Sequence, residues 1–176
     1  MNDQMKDKET MISLWGVRAQ IALLQGNYDQ ARTCWQEGLD ISEELGNRMS
    51  SLWLQSHLGY LALFEGHLTE ARDIFTETAR AFFNDKSVIG VVFNLEGMAG
   101  LYVAIGKTGL AAQLIGWADA TRERINDTRP LLEQADVDRI ITACIIKMGE
   151  AAFSEAYDEG QKMTMDEAVT YALQDN

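Results

Sequence analysis

The chain has 176 residues, 47% of them hydrophobic and 24% charged, with a net charge of −12 and a pI near 4.5. This is globular composition with enough residues for one ordinary core, and the negative balance argues against direct capture of a nucleic-acid backbone. The polar start, MNDQMKDKETM, lacks the basic flank and apolar run of a signal peptide. No apolar stretch approaches the roughly 20 residues of a membrane span. Cys34 and Cys144 carry no paired motif, so free thiols and a cytoplasmic location are expected.

A single proline and strong helix formers throughout predict an all-α fold. Residues 1–10 read as a flexible N-terminus. Thereafter three segments align without gaps at an offset of forty residues: LLQGNYDQARTCW from Leu23, LFEGHLTEARDIF from Leu63 and VAIGKTGLAAQLI from Val103. Gly26, Gly66 and Gly106 coincide, as do Ala31, Ala71 and Ala111, and the large residues Trp35, Phe75 and Ile115. Upstream, Ala19, Gly59 and Ala99 are equivalent, and so are Ile21, Leu61 and Leu101. Each repeat therefore reads as a helical hairpin. The first helices fall near 11–25, 49–65 and 88–105, the second near 28–45, 69–83 and 108–125.

The repeat also decides the meaning of GLYVAIGKTG, Gly100 to Gly109. A phosphate loop needs a glycine separated by four residues from Gly106-Lys107-Thr108, and that position holds Leu101. Gly106 instead occupies the slot of Gly26 and Gly66, where a glycine ends one helix and the chain turns into the next. Small residues at the matched positions allow the paired helices to approach closely, and the large residue after each matched alanine fills the gap to the next hairpin.

Leu58-Gly59, Ala62, Gly66, Ala71 and Phe75 fall in order on the signature of the tetratricopeptide repeat, which the chain resembles. It departs in having forty residues rather than thirty-four, in lacking the helix-ending proline, and in having Ala112 where the first two repeats have Arg32 and Arg72. A longer second helix and the turn at 44–48 would absorb the added length. The resemblance implies an α-solenoid of three hairpins over residues 11–126.

Residues 127–176 lose the repeat. Pro130 opens a helix from 131 to 148, a short helix follows near 150–159, and Thr164 with Glu167 forms a capping box for a last helix ending near Leu173. These are expected to cap the solenoid within the same domain. The wording of EELGNR, AAQLIGWADATRERI and GEAAFSEAYDEGQKMTMDEAVTYAL resembles the C-terminal region of large bacterial LuxR-type and antibiotic-regulator-type transcriptional regulators and related signalling ATPases. That resemblance implies a sensing and interaction module. Without a phosphate loop or a basic recognition helix, ATP hydrolysis and DNA binding are not carried over.

No catalytic constellation emerges. His57 and His67, the two histidines, lack Cys or carboxylate at ligand spacing, so no metal or other cofactor is expected. The pairs Glu43-Glu44 and Asp158-Glu159 diverge by about 100° on a helix and cannot share a proton. The chain reads as a non-enzyme.

In a tetratricopeptide-like stack the first helices line the concave face. The expected groove residues are Gln20 beside Gly16, then Trp53, Ser56, His57 and Tyr60, and finally Phe93 and Glu96 beside Gly100. Trp53, Ser56, Tyr60 and Phe64 form one helical stripe; Leu54, Leu58, Leu61 and Ala62 form the other. A protein or peptide segment held along that stripe is the expected partner, with no membrane contact. A small-molecule effector enclosed where Trp53, Tyr60 and Phe93 converge is the alternative, and a homodimer through the stripe a third. Trp53 and Phe93 would also suit a core.

Overall fold

The structure, a computed structural model, describes residues 3–174, with side chains from residue 6 onward. Its elements are α1 (Asp3–Leu24), α2 (Tyr28–Glu44), α3 (Arg48–Phe64), α4 (Leu68–Asn84), α5 (Val88–Ala104), α6 (Thr108–Arg124), α7 (Leu131–Met148), α8 (Glu150–Gly160) and α9 (Met165–Ala172). Among the described residues there is no strand. The fold is all-α and built of tetratricopeptide-like hairpins, as the repeat predicts.

Helix α1 begins eight residues earlier than expected, at Asp3, so residues 3–10 are helical. Met1 and Asn2 lie outside the described residues. Lys6, Lys8 and Glu9 favour helix, Thr10 Oγ1 donates to the Lys6 carbonyl at 2.9 Å, and Lys8 pairs with Glu44 at the end of α2.

The forty-residue repeat is a doubled twenty-residue one. Helices α2 to α6 each have 17 residues. The added length over a thirty-four-residue repeat is thus shared by both helices of a hairpin rather than placed in the second. Every junction from α1 to the end of α6 is the same turn. At Gly26, Gly46, Gly66, Lys86, Gly106 and Asn126 the backbone is left-handed, φ lying between 54° and 83°. At the first, Gly26 N–H donates to Leu23 O at 2.9 Å and Asn27 N–H to Ala22 O at 2.9 Å, and the other five repeat both bonds. This is the Schellman arrangement, which satisfies the last carbonyls of one helix while reversing the chain. Gly106-Lys107-Thr108 is one of these turns. Asn27 and Asn47 then cap α2 and α3 by accepting from Gln30 N–H and Ser50 N–H.

Two compact units result, Met1–Ile74 and Phe75–Asn176, the division falling within α4. In the first, α1 packs on α2 and α2 on α3. Its core holds Ile12, Ala19, Ala31, Trp35, Leu54, Leu58 and Leu61, with Trp15 and Ile74 against it. Gly38 allows α2 and α3 to close up, since a Cβ there would lie 3.3 Å from Leu54 Cδ2.

In the second unit α5 is buried along nearly its whole length, from Gly90 to Ala99 without interruption. Its glycines take the rings of α4: a Cβ on Gly97 would fall 2.5 Å from Phe75, and one on Gly90 2.2 Å from Phe82. Helix α7 packs on α5 and α6, α8 on α6 and α7, and α9 on α5 and α6. The α6–α8 crossing is backbone to backbone, because Gly116 meets the Tyr157 carbonyl and Gly160 the Gln113 carbonyl. Thr164 and Glu167 complete the expected capping box of α9.

Candidate functional site

The expected groove divides on inspection of its residues. In the first unit, α3 buries Leu54, Leu58 and Leu61 and leaves Trp53, Tyr60 and Phe64, seven and four residues apart, half-buried on one side. The Tyr60 and Phe64 rings are tilted, with centroids 6.3 Å apart. Gln20 on α1 is exposed and Gly16 half-exposed.

Ser56 does not belong to the accessible face. It is fully buried, out of reach of a ligand, and its hydroxyl donates its proton to the Leu52 carbonyl at 2.9 Å within the helix. His57 turns toward α2, where its ring stacks on Trp35 with centroids 5.3 Å apart and planes 2° from parallel. Burial pushes its pKa down to about 4. A neutral imidazole therefore props the aromatic face from behind rather than offering a charge to a partner.

Phe93 and Glu96 in the second unit are also buried. They lie on α5, a helix against which both α7 and α9 pack. Glu96 is the centre of a closed ion network. Arg122 grips it with two hydrogen bonds, Nε to Oε1 at 2.9 Å and Nη2 to Oε2 at 3.0 Å. Arg129, just before α7, adds Nε and Nη2 donors to Oε1 at 3.1 and 2.7 Å. The guanidiniums reach outward to Asp127, to Glu133 at 3.0 Å and to Asp119 at 2.5 Å, and Tyr157 of α8 donates to Asp119 at 2.7 Å. Burial pushes the Glu133 carboxyl above its ordinary range despite Arg122, and raises the Tyr157 hydroxyl together with Asp119. The arrangement fastens α5, α6, α7 and α8 to one another, with each charge answered.

Sequence reasoning missed Arg122 and Arg129, although a signal existed. Glu96 is the sole acid of an apolar helix, VIGVVFNLEGMAGLYVA, and a carboxylate so placed requires a buried cation.

Among the described residues no three of His, Cys, Asp and Glu are grouped to hold a metal ion. His67 lies in the turn before α4, largely exposed, with Glu70 3.4 Å away. Cys34 and Cys144 are free and buried, and burial lifts the Cys144 thiol to about 11, away from nucleophilic use. No described helix is long and apolar enough to cross a membrane. An open depression on α9, bounded by Met163, Asp166, Thr170 and Tyr171, brings together no catalytic set.

The chain's likeness to known proteins follows the hairpins. A tetratricopeptide repeat model matches residues 9–82. That match ends within α4, yet the third hairpin has the same turns. Repeats of this kind are generally interaction scaffolds rather than enzymes. Proteins named "Putative HTH-type transcriptional regulator" from Mycobacterium bovis and Mycobacterium tuberculosis are 27% identical over 154 residues. The aligned part is 88% of this chain and 17% of each relative, so the chain spans about a sixth of the length of the curated relatives it matches. No solved structure matches.

Proposed function

We propose that this chain is a non-enzymatic, protein-binding repeat module working in bacterial transcriptional regulation. It takes an apolar helical or extended segment of a partner on the first-helix face of the first unit, where Trp53, Tyr60 and Phe64 supply area and Gln20 a polar contact. The observation that carries the reading is an internal one. The corresponding helix of the third hairpin, α5, already packs against two helices of the chain itself, α7 and α9, while α3 keeps its aromatic stripe half-exposed. A surface that takes helices in one hairpin is suited to take one in another. The regulatory context comes from the named relatives and from the wording of the tail.

The test is affinity capture by the full chain, compared with Trp53→Ala and Tyr60→Ala variants of unchanged helical content. A protein retained by the parent and lost from both variants supports the reading. Thermal melts against a panel of small metabolites decide against it if one compound raises Tm in the parent and not in Trp53→Ala, because the stripe would then serve an effector. Equal capture by all three proteins would remove the stripe from the binding surface.

A further inference from the structure

A second surface lies on α1, distinct from the Trp53 stripe. Met11, Leu14, Val17, Ile21 and Leu24 recur at three- and four-residue spacing and are exposed by 44%, 58%, 56%, 49% and 65%. Ile12, Ala19 and Ala22 on the same helix are buried in the core. So α1 is apolar on two faces, one of which is exposed among the described residues.

The forty-residue register shows what this outer face is for. Leu14 is equivalent to Leu54 and Asn94, and Val17 to His57 and Gly97. In α3, Leu54 meets Gly38 and His57 stacks on Trp35, both partners lying on α2. In α5, Asn94 accepts from Thr78 at 2.6 Å and Gly97 takes the ring of Phe75, both on α4. The same two pairings recur forty residues apart, always between a first helix and the second helix of the hairpin before it. Ile21 extends the series, since its equivalents Leu61 and Leu101 are buried.

We propose that the outer face of α1 is a docking surface for a partner's second helix from a tetratricopeptide-type hairpin, with an aromatic residue over Val17 and a small residue over Leu14. A second copy of this chain cannot supply that helix from α4, whose Phe75, Thr78 and Phe82 already meet α5, nor from α2 or α6 in the same geometry. Helix α2 is packed by α1 and α3, and α6 by α5, α7 and α8.

The probe is a hairpin of known fit. A copy of residues 48–87 is joined directly before Lys8, so that the junction from residue 87 into a first helix is repeated. The expected result is a monomer with undiminished helix per residue and a Tm roughly 5 °C or more above that of the parent, as nearest-neighbour stacking in repeat proteins requires. Replacing Leu14→Ser, Val17→Ser and Ile21→Ser together should move the parent's Tm by no more than about 2 °C and abolish most of the gain in the extended chain. An extended chain that gains nothing, or whose added residues stay unfolded, overturns the proposal. So does a triple substitution that lowers both Tm values equally, because the face would then be covered already. A parent that sediments as a dimer and becomes monomeric on the triple substitution also overturns it, assigning the face to a second copy.

Discussion

The imidazole of His57 lies flat against the indole of Trp35, two degrees from parallel, and joins α3 to α2 across the core of the first unit. The contact needs a neutral ring, since burial lowers the pKa of His57 to about 4. The unfolded chain titrates near 6.5. Between those values the unfolded state binds more protons, so the stability contributed by this residue is whole above pH 6.5 and is lost as pH falls toward 4. Urea midpoints measured from pH 7.5 to 4.5 should fall by an amount equivalent to roughly 1–3 kcal/mol, the lower figure allowing for partial solvent access. His57→Gln should flatten the curve between pH 6.5 and 5, above the range of ordinary carboxylates.

Removing one partner from the Glu96 network should be far more harmful than removing a surface ion pair. Arg122→Met leaves Glu96, Asp127 and Glu133 facing one another with one cation fewer, and Glu96→Gln leaves two buried guanidiniums underpaired. Each should cost about 3–5 kcal/mol, read as a lower denaturant midpoint. Hydrogen exchange should show faster opening of α5 to α7, with the amides of α1 and α2 unaffected. Lys8→Gln, which breaks an exposed pair with Glu44, should shift stability by less than about 1 kcal/mol.

The glycine pair at the α6–α8 crossing sets the third prediction. A methyl group on Gly160 would lie 2.0 Å from the Gln113 carbonyl oxygen, and backbone cannot rotate aside as a side chain does. Gly160→Ala should cost roughly 1–3 kcal/mol or more by overpacking, despite the better helix propensity of alanine. Exposure of the Tyr157 ring, followed by its fluorescence or by α8 exchange rates, should rise with it.

The six like turns make a paired test possible. Gly66→Ala puts a Cβ on a residue at φ 79° and should cost about 1 kcal/mol. Lys86→Gly, at the same turn one helix later, relieves a left-handed lysine at φ 56° while loosening the unfolded chain. It should fall between neutral and about 1 kcal/mol stabilising, measured by the same urea melts.

Most helix positions were legible because apolar spacing and turn glycines act locally. Helix α7 runs over the residues expected, and α2 to α6 differ from expectation by a residue or two at their ends. The early start of α1 was missed because a polar opening reads as flexible, whereas the pairing of Lys8 with Glu44 is a tertiary event. The twenty-residue period was hidden where Lys86 and Asn126 stand in for glycine. For the site, periodicity identified the Trp53 stripe but could not say what covers a face. Phe93 and Glu96 sit at groove positions by register, yet the tail folds back on their helix. Ser56 was misplaced for a smaller reason: three residues from Trp53 and four from Tyr60 it shares their stripe by spacing, yet it is buried and its hydroxyl turns back onto its own helix.

The α6–α8 crossing also gives the repeat a direction. Every second helix in a stack of hairpins has an outer side on which the next first helix would rest, and on α6 that side is contacted by the chain's own α7 and α8, with Gly116 and Gly160 drawing backbones too close to be parted cheaply. The α6 side is terminated by covalent continuity. Among the described residues, helix α1 instead leaves Met11, Leu14, Val17, Ile21 and Leu24 exposed, the positions whose equivalents in α3 and α5 meet a preceding second helix.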